Sequence, residues 1–148
     1  MAPISAETAR LLRTHGLRAT SSRVAVLDVL QELPHARVEE VASAARARIG
    51  TLSTQAVYDV LRALHEAGLV RRIEPAGSPA RFETRVGDNH HHLVCRDCGR
   101  TVDADCAVGE APCLAPSEAA GFEVDEAEVI FWGRCPACRE RRKKGVLR

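Results

Sequence analysis

The sequence lacks several features that would assign it to common classes of protein. Its first residues, MAPISAETARLLRTHG, contain no apolar run of signal-peptide length, and no stretch approaches the roughly 18 apolar residues that a membrane span requires. It also lacks the HExxH motif of zinc proteases and the HxE…PCxxC pattern of zinc deaminases. We therefore expect a cytoplasmic protein that is not an enzyme.

A strong net charge is also absent, because the 148 residues carry a formal charge of only +1. A nucleic-acid-binding protein with this balance needs its charge segregated along the chain. The first 24 residues carry four arginines and one acid, whereas residues 101–133 carry eight acids and neither Lys nor Arg. The last ten residues, RERRKKGVLR, carry six basic residues and one acid, and we expect them to be a frayed, solvated end rather than a DNA-binding arm.

What the sequence does contain is enough apolar residue for a core, 45% of the chain, and six cysteines. In a reducing cytosol, cysteines hold metal or sense redox state more often than they form permanent disulfides. Two Cys-x-x-Cys pairs, Cys95 with Cys98 and Cys135 with Cys138, strengthen the metal interpretation.

Four helical patterns occupy the first half of the chain, in the segments ETARLLRTHG, SSRVAVLDVLQEL, VEEVASAARARIG and STQAVYDVLRALHEAGL. In the fourth, apolar residues recur at helical spacing on one face, with Ser53 as the expected N-cap and Gly68 as the terminator. The opposite face carries residues suited to base edges and phosphates, namely Thr54, Gln55, Tyr58 and Arg62.

After the fourth helix, LVRRIE and ARFET are strand-like runs joined by the turn-rich PAGSP. Helices followed by a hairpin are the order of a winged helix-turn-helix, and a small helical bundle with a hairpin lid is the alternative. The second half is strand-rich, in HHHLVC, RTVDAD and FEVDEAEVIFWGRC, which predicts a small mixed sheet. The predicted fold is α+β, with a winged-helix domain at 1–85, a hinge at 86–89 and a metal-binding dimerisation domain at 90–148.

The stretch NHHHLVCRDCG, from Asn89 to Gly99, raises the question of whether it serves one metal site or two. Side chains alternate along an extended strand, so His90 and His92 project to one face while His91 and Cys95 project to the other. Two separate sites follow. Four cysteines form a closed, tetrahedral site for structural zinc, and the 36 residues between Cys98 and Cys135 imply that the metal pins the last strand to the sheet. The alternatives are a disulfide or free thiols for the cysteines, and a surface run for the histidines.

Together these motifs resemble the ferric uptake regulator family of metal-dependent repressors. The resemblance runs from GLRATSSR through STQAVYDVLRALHEAGLV and RFE to HHHLVCRDCG and the final CPAC. STQAVYDVL, VGDNHHHLVCRDCG and DCAVGEAPC are similar to the actinobacterial branch that acts beside catalase-peroxidase genes.

The resemblance implies a regulatory site for Fe(II), Mn(II) or Zn(II) made of three imidazoles and two carboxylates. Its predicted ligands are His35, Glu83, His90, His92 and Asp103. It also implies a structural Zn(II) at Cys95, Cys98, Cys135 and Cys138. Metal bound between the two halves would shift a two-state equilibrium towards the DNA-binding arrangement.

The chain departs from the family's pattern at two places. Of a further metal site found in several relatives, only His91 and Glu110 remain, because Asn89 stands at one of its positions. Asp59 follows Tyr58 where many relatives have a basic residue. Arg18 matches a basic residue that enters the minor groove, and we expect it to contact DNA together with Arg23.

The resulting prediction is a homodimeric, metal-dependent, redox-responsive repressor that binds A·T-rich palindromic operators and controls catalase-peroxidase genes and its own gene. The apolar last strand is the predicted dimer interface. The alternatives are a repressor for iron or zinc homeostasis and, in other classes, a metal buffer without DNA or a metalloenzyme.

Cys106 and Cys113 are left over once the four-cysteine site is assigned. They are either small buried residues or a redox pair, since CAVGEAPC is turn-prone and could bring them within disulfide range. Peroxide would then act through these thiols or by oxidising iron at the regulatory site.

Overall fold

The computed structural model describes the backbone of residues 2–109 and 111–145 and the side chains of this set from Ala6 onwards. The chain forms two compact units, Met1–Val86 and Gly87–Arg148. The part of the chain that the structure describes contains no helix that is long and apolar enough to cross a membrane.

From Ala2 onwards, the N-terminal unit contains four helices and a three-stranded sheet. The helices are α1 (Ala2–Thr14), α2 (Ser21–Glu32), α3 (Val38–Ile49) and α4 (Thr54–Glu66), and the strands are β1 (Ala36–Arg37), β2 (Arg71–Ile73) and β3 (Arg81–Glu83). The sheet is antiparallel in the order β1-β3-β2. The predicted hairpin is therefore present, and β1, a two-residue strand that the sequence did not predict, extends it.

One continuous apolar cluster holds the N-terminal unit together. It includes Leu12 of α1, Leu30 of α2, Val41 of α3 and Leu64 of α4, each fully buried. Burial of one such side chain stabilises the fold by about 1.5–3 kcal/mol. The core therefore determines which face of each helix is buried. It also determines which face of α4 remains exposed.

The described residues of the C-terminal unit form a three-stranded mixed sheet and one helix. Its strands are β4 (His90–Cys95), β5 (Thr101–Asp105) and β6 (Ile130–Gly133), in the order β5-β4-β6, and α5 (Pro136–Lys143) follows. The central strand β4 pairs antiparallel with β5 and parallel with β6. The α+β fold class is as predicted.

Two features of this unit differ from the sequence predictions. The last strand is only Ile130–Gly133, much shorter than the strand-like run FEVDEAEVIFWGRC. Part of the tail that was expected to be frayed forms α5, with Pro136 in its first turn. The guanidinium of Arg142 in α5 forms two hydrogen bonds of 2.8 Å with the carboxylate of Asp97, which ties the helix to the turn between β4 and β5.

Candidate metal centres and DNA-binding surface

Four cysteine sulfurs converge in the C-terminal unit. Cys95 ends β4, Cys98 lies in the following turn, Cys135 directly precedes α5 and Cys138 is in its first turn. One ligand atom from each lies within 4.8 Å of the others, and the sulfurs of Cys98 and Cys135 are 3.8 Å apart. Sulfurs at about 2.3 Å from a tetrahedral zinc ion stand about 3.8 Å apart. The donor set and its spacing therefore fit zinc.

The four thiols differ in how readily they ionise. Burial raises the pKa of Cys95, but N–H groups of the surrounding turns outweigh this effect and lower the pKa to about 6. The N–H of Cys138 lowers the pKa of Cys135. Burial and the neighbouring sulfurs raise the pKa of Cys138 to about 12. A cation supplies the positive charge that this crowded group needs to become fully ionised.

Asp97 supports this group from the turn between Cys95 and Cys98. Besides its two bonds to Arg142, its carboxylate forms an ion pair of 3.3 Å with Arg134. Both arginines flank the second pair of cysteines, so Asp97 holds the two halves of the group together. Sequence reasoning missed Asp97, although an acid inside one Cys-x-x-Cys pair and arginines beside the other were a visible signal.

The predicted regulatory ligands form one group in each unit. In the N-terminal unit, Nε2 of His35 is 2.9 Å from Oε2 of Glu83, and both side chains are buried. His35 has a φ of 65°, which is uncommon for a residue other than glycine. Arg81 donates a hydrogen bond of 3.1 Å to the His35 carbonyl oxygen. Pairing of β1 with β3 positions His35 beside Glu83.

In the C-terminal unit, Nε2 of His90 and Nε2 of His92 lie 3.5 and 3.4 Å from the same oxygen of Asp103. His92 and Asp103 are register partners on β4 and β5. Both imidazoles are fully buried. Nδ1 of His90 is 2.7 Å from an oxygen of Asp88, which orients the ring as carboxylates do for metal-binding histidines. The sequence analysis did not identify Asp88, although the spacing Asp-x-His was a signal.

His91 projects to the other side of β4, as strand alternation predicts. Its Nε2 is 3.2 Å from the sulfur of Cys113, and the two cysteines left over from the zinc group lie together beside it. Glu110, its predicted partner in a further metal site, lies outside the described residues.

The predicted DNA-binding residues are at the surface of the N-terminal unit. All four on α4 are exposed, namely Thr54, Gln55, Tyr58 and Arg62. Asp59 on the same face accepts a hydrogen bond of 3.0 Å from Gln55 and forms an ion pair of 3.7 Å with Arg62. Arg18 is exposed, while Arg23 is half-buried and donates a bond of 3.2 Å to the Arg18 carbonyl oxygen.

Comparison with known proteins gives one family. Residues 14–131 match the model of the ferric uptake regulator family. The chain is 60% identical over 130 residues to the transcriptional regulator FurA of Mycobacterium tuberculosis, which covers 88% of each chain.

Two solved structures are also similar. The ferric uptake regulator of Pseudomonas aeruginosa with manganese has 27% identity and a TM-score of 0.61, covering 87% of this chain and 98% of that one. The peroxide stress regulator of Campylobacter jejuni has 25% identity and a TM-score of 0.61, covering 87% and 97%. All three proteins are named as regulators rather than as enzymes, and the Mycobacterium protein is named as a transcriptional regulator. The chain therefore belongs to the ferric uptake regulator family and is a metal-responsive transcriptional regulator, not an enzyme.

Proposed function

We propose that this protein is a homodimeric repressor that binds A·T-rich palindromic operators when its regulatory metal is bound, and that peroxide relieves the repression. The main observation that supports the proposal is that α4 is amphipathic. Val57, Val60, Leu61 and Leu64 are buried on one side. The polar side chains of the other side are exposed and include groups that donate to base edges and phosphates.

The regulatory metal is the switch in this proposal. The pair His35 and Glu83 belongs to one unit, and the group His90, His92 and Asp103 belongs to the other. Imidazole and carboxylate ligands suit Fe(II), Mn(II) or Zn(II), and site geometry and the availability of each metal in the cell determine which one is bound. An ion that takes ligands from both groups stabilises the arrangement in which both can reach it. Operator binding by that arrangement would then be coupled to metal binding, and the coupling is reciprocal.

Structural zinc at the four cysteines is the second metal in the proposal. It carries no switching role, because its four ligands all come from the C-terminal unit and leave no open position. Its role is to hold β4 and α5 together and so to maintain the sheet that carries His90 and His92.

A palindromic operator has two equivalent half-sites. A dimer can place one copy of α4 on each half-site, which doubles the number of phosphate contacts. The surface of the C-terminal sheet supports it. Leu93 of β4 and Phe131 of β6 are register partners on one face of the sheet and are 46% and 49% exposed. Large apolar side chains grouped at a surface are typical of an interface.

The regulated genes are proposed from similarity. The relative of known structure from Campylobacter jejuni is named as a peroxide stress regulator. We propose control of catalase-peroxidase and other oxidative stress genes and of the protein's own gene, in the cytoplasm where the chromosome lies. Control of iron or zinc uptake is the competing proposal, and the two differ in whether peroxide or metal supply changes operator occupancy.

Fluorescence anisotropy with a labelled A·T-rich palindrome tests the proposal. We expect binding by the zinc-containing dimer to strengthen at least tenfold on addition of Mn(II) and to weaken steeply with salt. Arg62→Ala should weaken binding and reduce the salt slope by about one. Arg139→Ala, an exposed arginine of α5, is the matched control and should change neither. Equal affinity for the palindrome and for a G·C-rich duplex, with and without metal, would contradict the proposal.

A further inference from the structure

Three side chains of the C-terminal unit that neither metal group uses lie together beside β4. They are His91, Cys106 and Cys113, and one ligand atom from each lies within 4.8 Å of the others. Both cysteines are partly exposed, so small solutes can reach them. Such a group can hold a metal ion or carry out thiol chemistry. The hydrogen bonds of its histidine decide between the two.

Neighbouring histidines of β4 carry their protons on opposite nitrogens. Nδ1 of His90 donates to the Asp88 carboxylate, which leaves the lone pair of Nε2 for a metal. Nδ1 of His91 instead accepts the backbone N–H of Val129 at 3.2 Å. In the neutral ring the proton is then on Nε2, which faces the sulfur of Cys113 at 3.2 Å. Metal binding at Nε2 would require the proton to be on Nδ1, where it would face the N–H of Val129. The hydrogen bond from Val129 therefore keeps the proton on Nε2, and the ring acts as a donor to the sulfur of Cys113.

The sulfur of Cys106 is surrounded by hydrogen-bond donors. Asn89 donates its side-chain N–H at 3.3 Å. The N–H of Gly109, aided by that of Val108 and by the thiol of Cys113, lowers the pKa of Cys106 below the usual range of a thiol. Because the thiolate is the reactive form of cysteine, this arrangement favours Cys106 as the nucleophile of the pair.

We propose that Cys106 and Cys113 form a peroxide-sensitive dithiol, in which Cys106 reacts first, Cys113 closes a disulfide, and His91 is a positioning residue for Cys113. The inference deepens the proposed function and rests on it, since it names the site in this protein where peroxide acts.

The chemistry balances with hydrogen peroxide as the oxidant. The Cys106 thiolate attacks one peroxide oxygen, a sulfur–oxygen bond forms, the oxygen–oxygen bond breaks, and the departing hydroxide takes a proton to become water. The Cys113 sulfur then attacks the sulfenic sulfur of Cys106. A sulfur–sulfur bond forms, the sulfur–oxygen bond breaks, and a second water leaves with the Cys113 proton. Two thiols and one peroxide give one disulfide and two waters, with two electrons passing from sulfur to oxygen.

Val129 connects this dithiol to the regulatory ligands. Its N–H donates to the His91 ring, and its carbonyl oxygen accepts the backbone N–H of His92 at 3.3 Å. A disulfide brings the two sulfurs to about 2.05 Å, closer than the spacing of the reduced pair. Cys113 then moves relative to His91, and the His91–Val129–His92 contacts carry the change towards a predicted regulatory ligand.

Peptide mapping of peroxide-treated protein tests the inference. The sample is the full-length, zinc-containing dimer loaded with Mn(II) in place of Fe(II), so that iron chemistry does not contribute. We expect a Cys106–Cys113 disulfide that dithiothreitol reverses. Cys113→Ser should accumulate a dimedone-reactive sulfenic acid at Cys106, whereas Cys106→Ser should give no such adduct at Cys113.

The role of His91 needs variants that separate hydrogen bonding from packing. His91→Leu removes the N–H donor and should slow disulfide closure about tenfold, the size of one hydrogen bond to sulfur. His91→Gln keeps a donor and should restore the rate to within threefold of the wild type. Equal rates for the two variants would overturn the assignment of His91.

Three results would overturn the dithiol itself. They are two free thiols after peroxide treatment, a dimedone adduct on Cys113 in the Cys106→Ser protein, and a further tightly bound zinc ion that Cys106→Ser removes. The last would make the group a metal site. Operator binding by the reduced protein is measured in parallel. Its absence refutes the proposed function, whereas its presence without a disulfide refutes only the dithiol.

Discussion

The two units differ in what fills their interiors. The N-terminal unit is built around a continuous cluster of aliphatic side chains contributed by all four of its helices. In the C-terminal unit, within residues 87–109 and 111–145, the buried apolar residues are Val94, Cys95 and Cys138. The other buried residues among these are polar, namely Thr101 and the three histidines of β4. We infer from this difference that the first unit is stable through apolar burial, whereas the second depends on metal and on a partner surface.

Removal of a zinc ligand tests whether the second unit depends on metal for its stability. In Cys138→Ser we expect loss of zinc and of the dimer, because structural zinc contributes on the order of 10 kcal/mol to folding. Elemental analysis and sedimentation velocity measure both. Cys113→Ser is the matched control and should keep zinc. A zinc-containing Cys138→Ser dimer would refute the assignment.

A cavity in the first unit tests the other side of the comparison. Leu64 is fully buried, so Leu64→Ala should cost about 2–5 kcal/mol of unfolding free energy. Denaturant unfolding followed by helical circular dichroism measures this cost. Leu11→Ala, at a residue 36% exposed, should cost far less. Loss of zinc in Leu64→Ala would mean that the units do not draw on separate sources of stability.

We assign the buried histidines of the second unit to regulation rather than to folding. His92→Ala should leave a zinc-containing dimer whose operator affinity no longer responds to Mn(II), a loss of about 5–150-fold, or 1–3 kcal/mol. His15→Ala, at an exposed residue of the first unit, is the control. Equal loss of zinc in His92→Ala and Cys138→Ser would show that one site, not two, is present.

An acidic residue on the exposed surface of α4 should have a weaker influence on operator binding than the buried histidines. Asp59 places a negative charge beside Gln55 and Arg62 on the face proposed to meet DNA. Asp59→Asn should strengthen operator binding by roughly 0.5–1 kcal/mol, as expected for one charge in high dielectric. The effect should shrink with salt. Glu66→Gln, at the end of the same helix, should do less, and an unchanged or weaker affinity for Asp59→Asn would place this face away from DNA.

Much of the fold was predictable because local signals were strong. Ser53 caps α4 by accepting the N–H of Ala56 at 3.0 Å, and the apolar spacing of that helix matches its buried side. The strand alternation that separated His91 from His90 and His92 also agrees with the contacts of these side chains. By contrast, β1 depends on pairing with the distant β3, and α5 depends on Arg142 bonding to Asp97. The residue pattern of β1 or of α5 does not by itself specify a partner so distant in the chain.

The site predictions were also incomplete where a side chain depends on a hydrogen-bond partner. Ligand residue types and spacing indicated the cysteine group, whereas the structure was needed to identify the hydrogen bonds of Asp88 with His90 and of Asp97 with Arg142. Sequence spacing suggested that Cys106 and Cys113 could meet. It could not show that the N–H of Val129 sets the proton position on His91, because that bond joins residues far apart in the chain.

Hydrogen exchange with mass spectrometry, before and after zinc is removed by a chelator, tests most directly whether the units depend on different sources of stability. We expect amides of β4, β5 and α5 to lose their protection, while amides of α2 and α4 keep theirs. Loss of protection in both units, or in neither, would contradict the conclusion that metal holds the second unit and apolar burial holds the first.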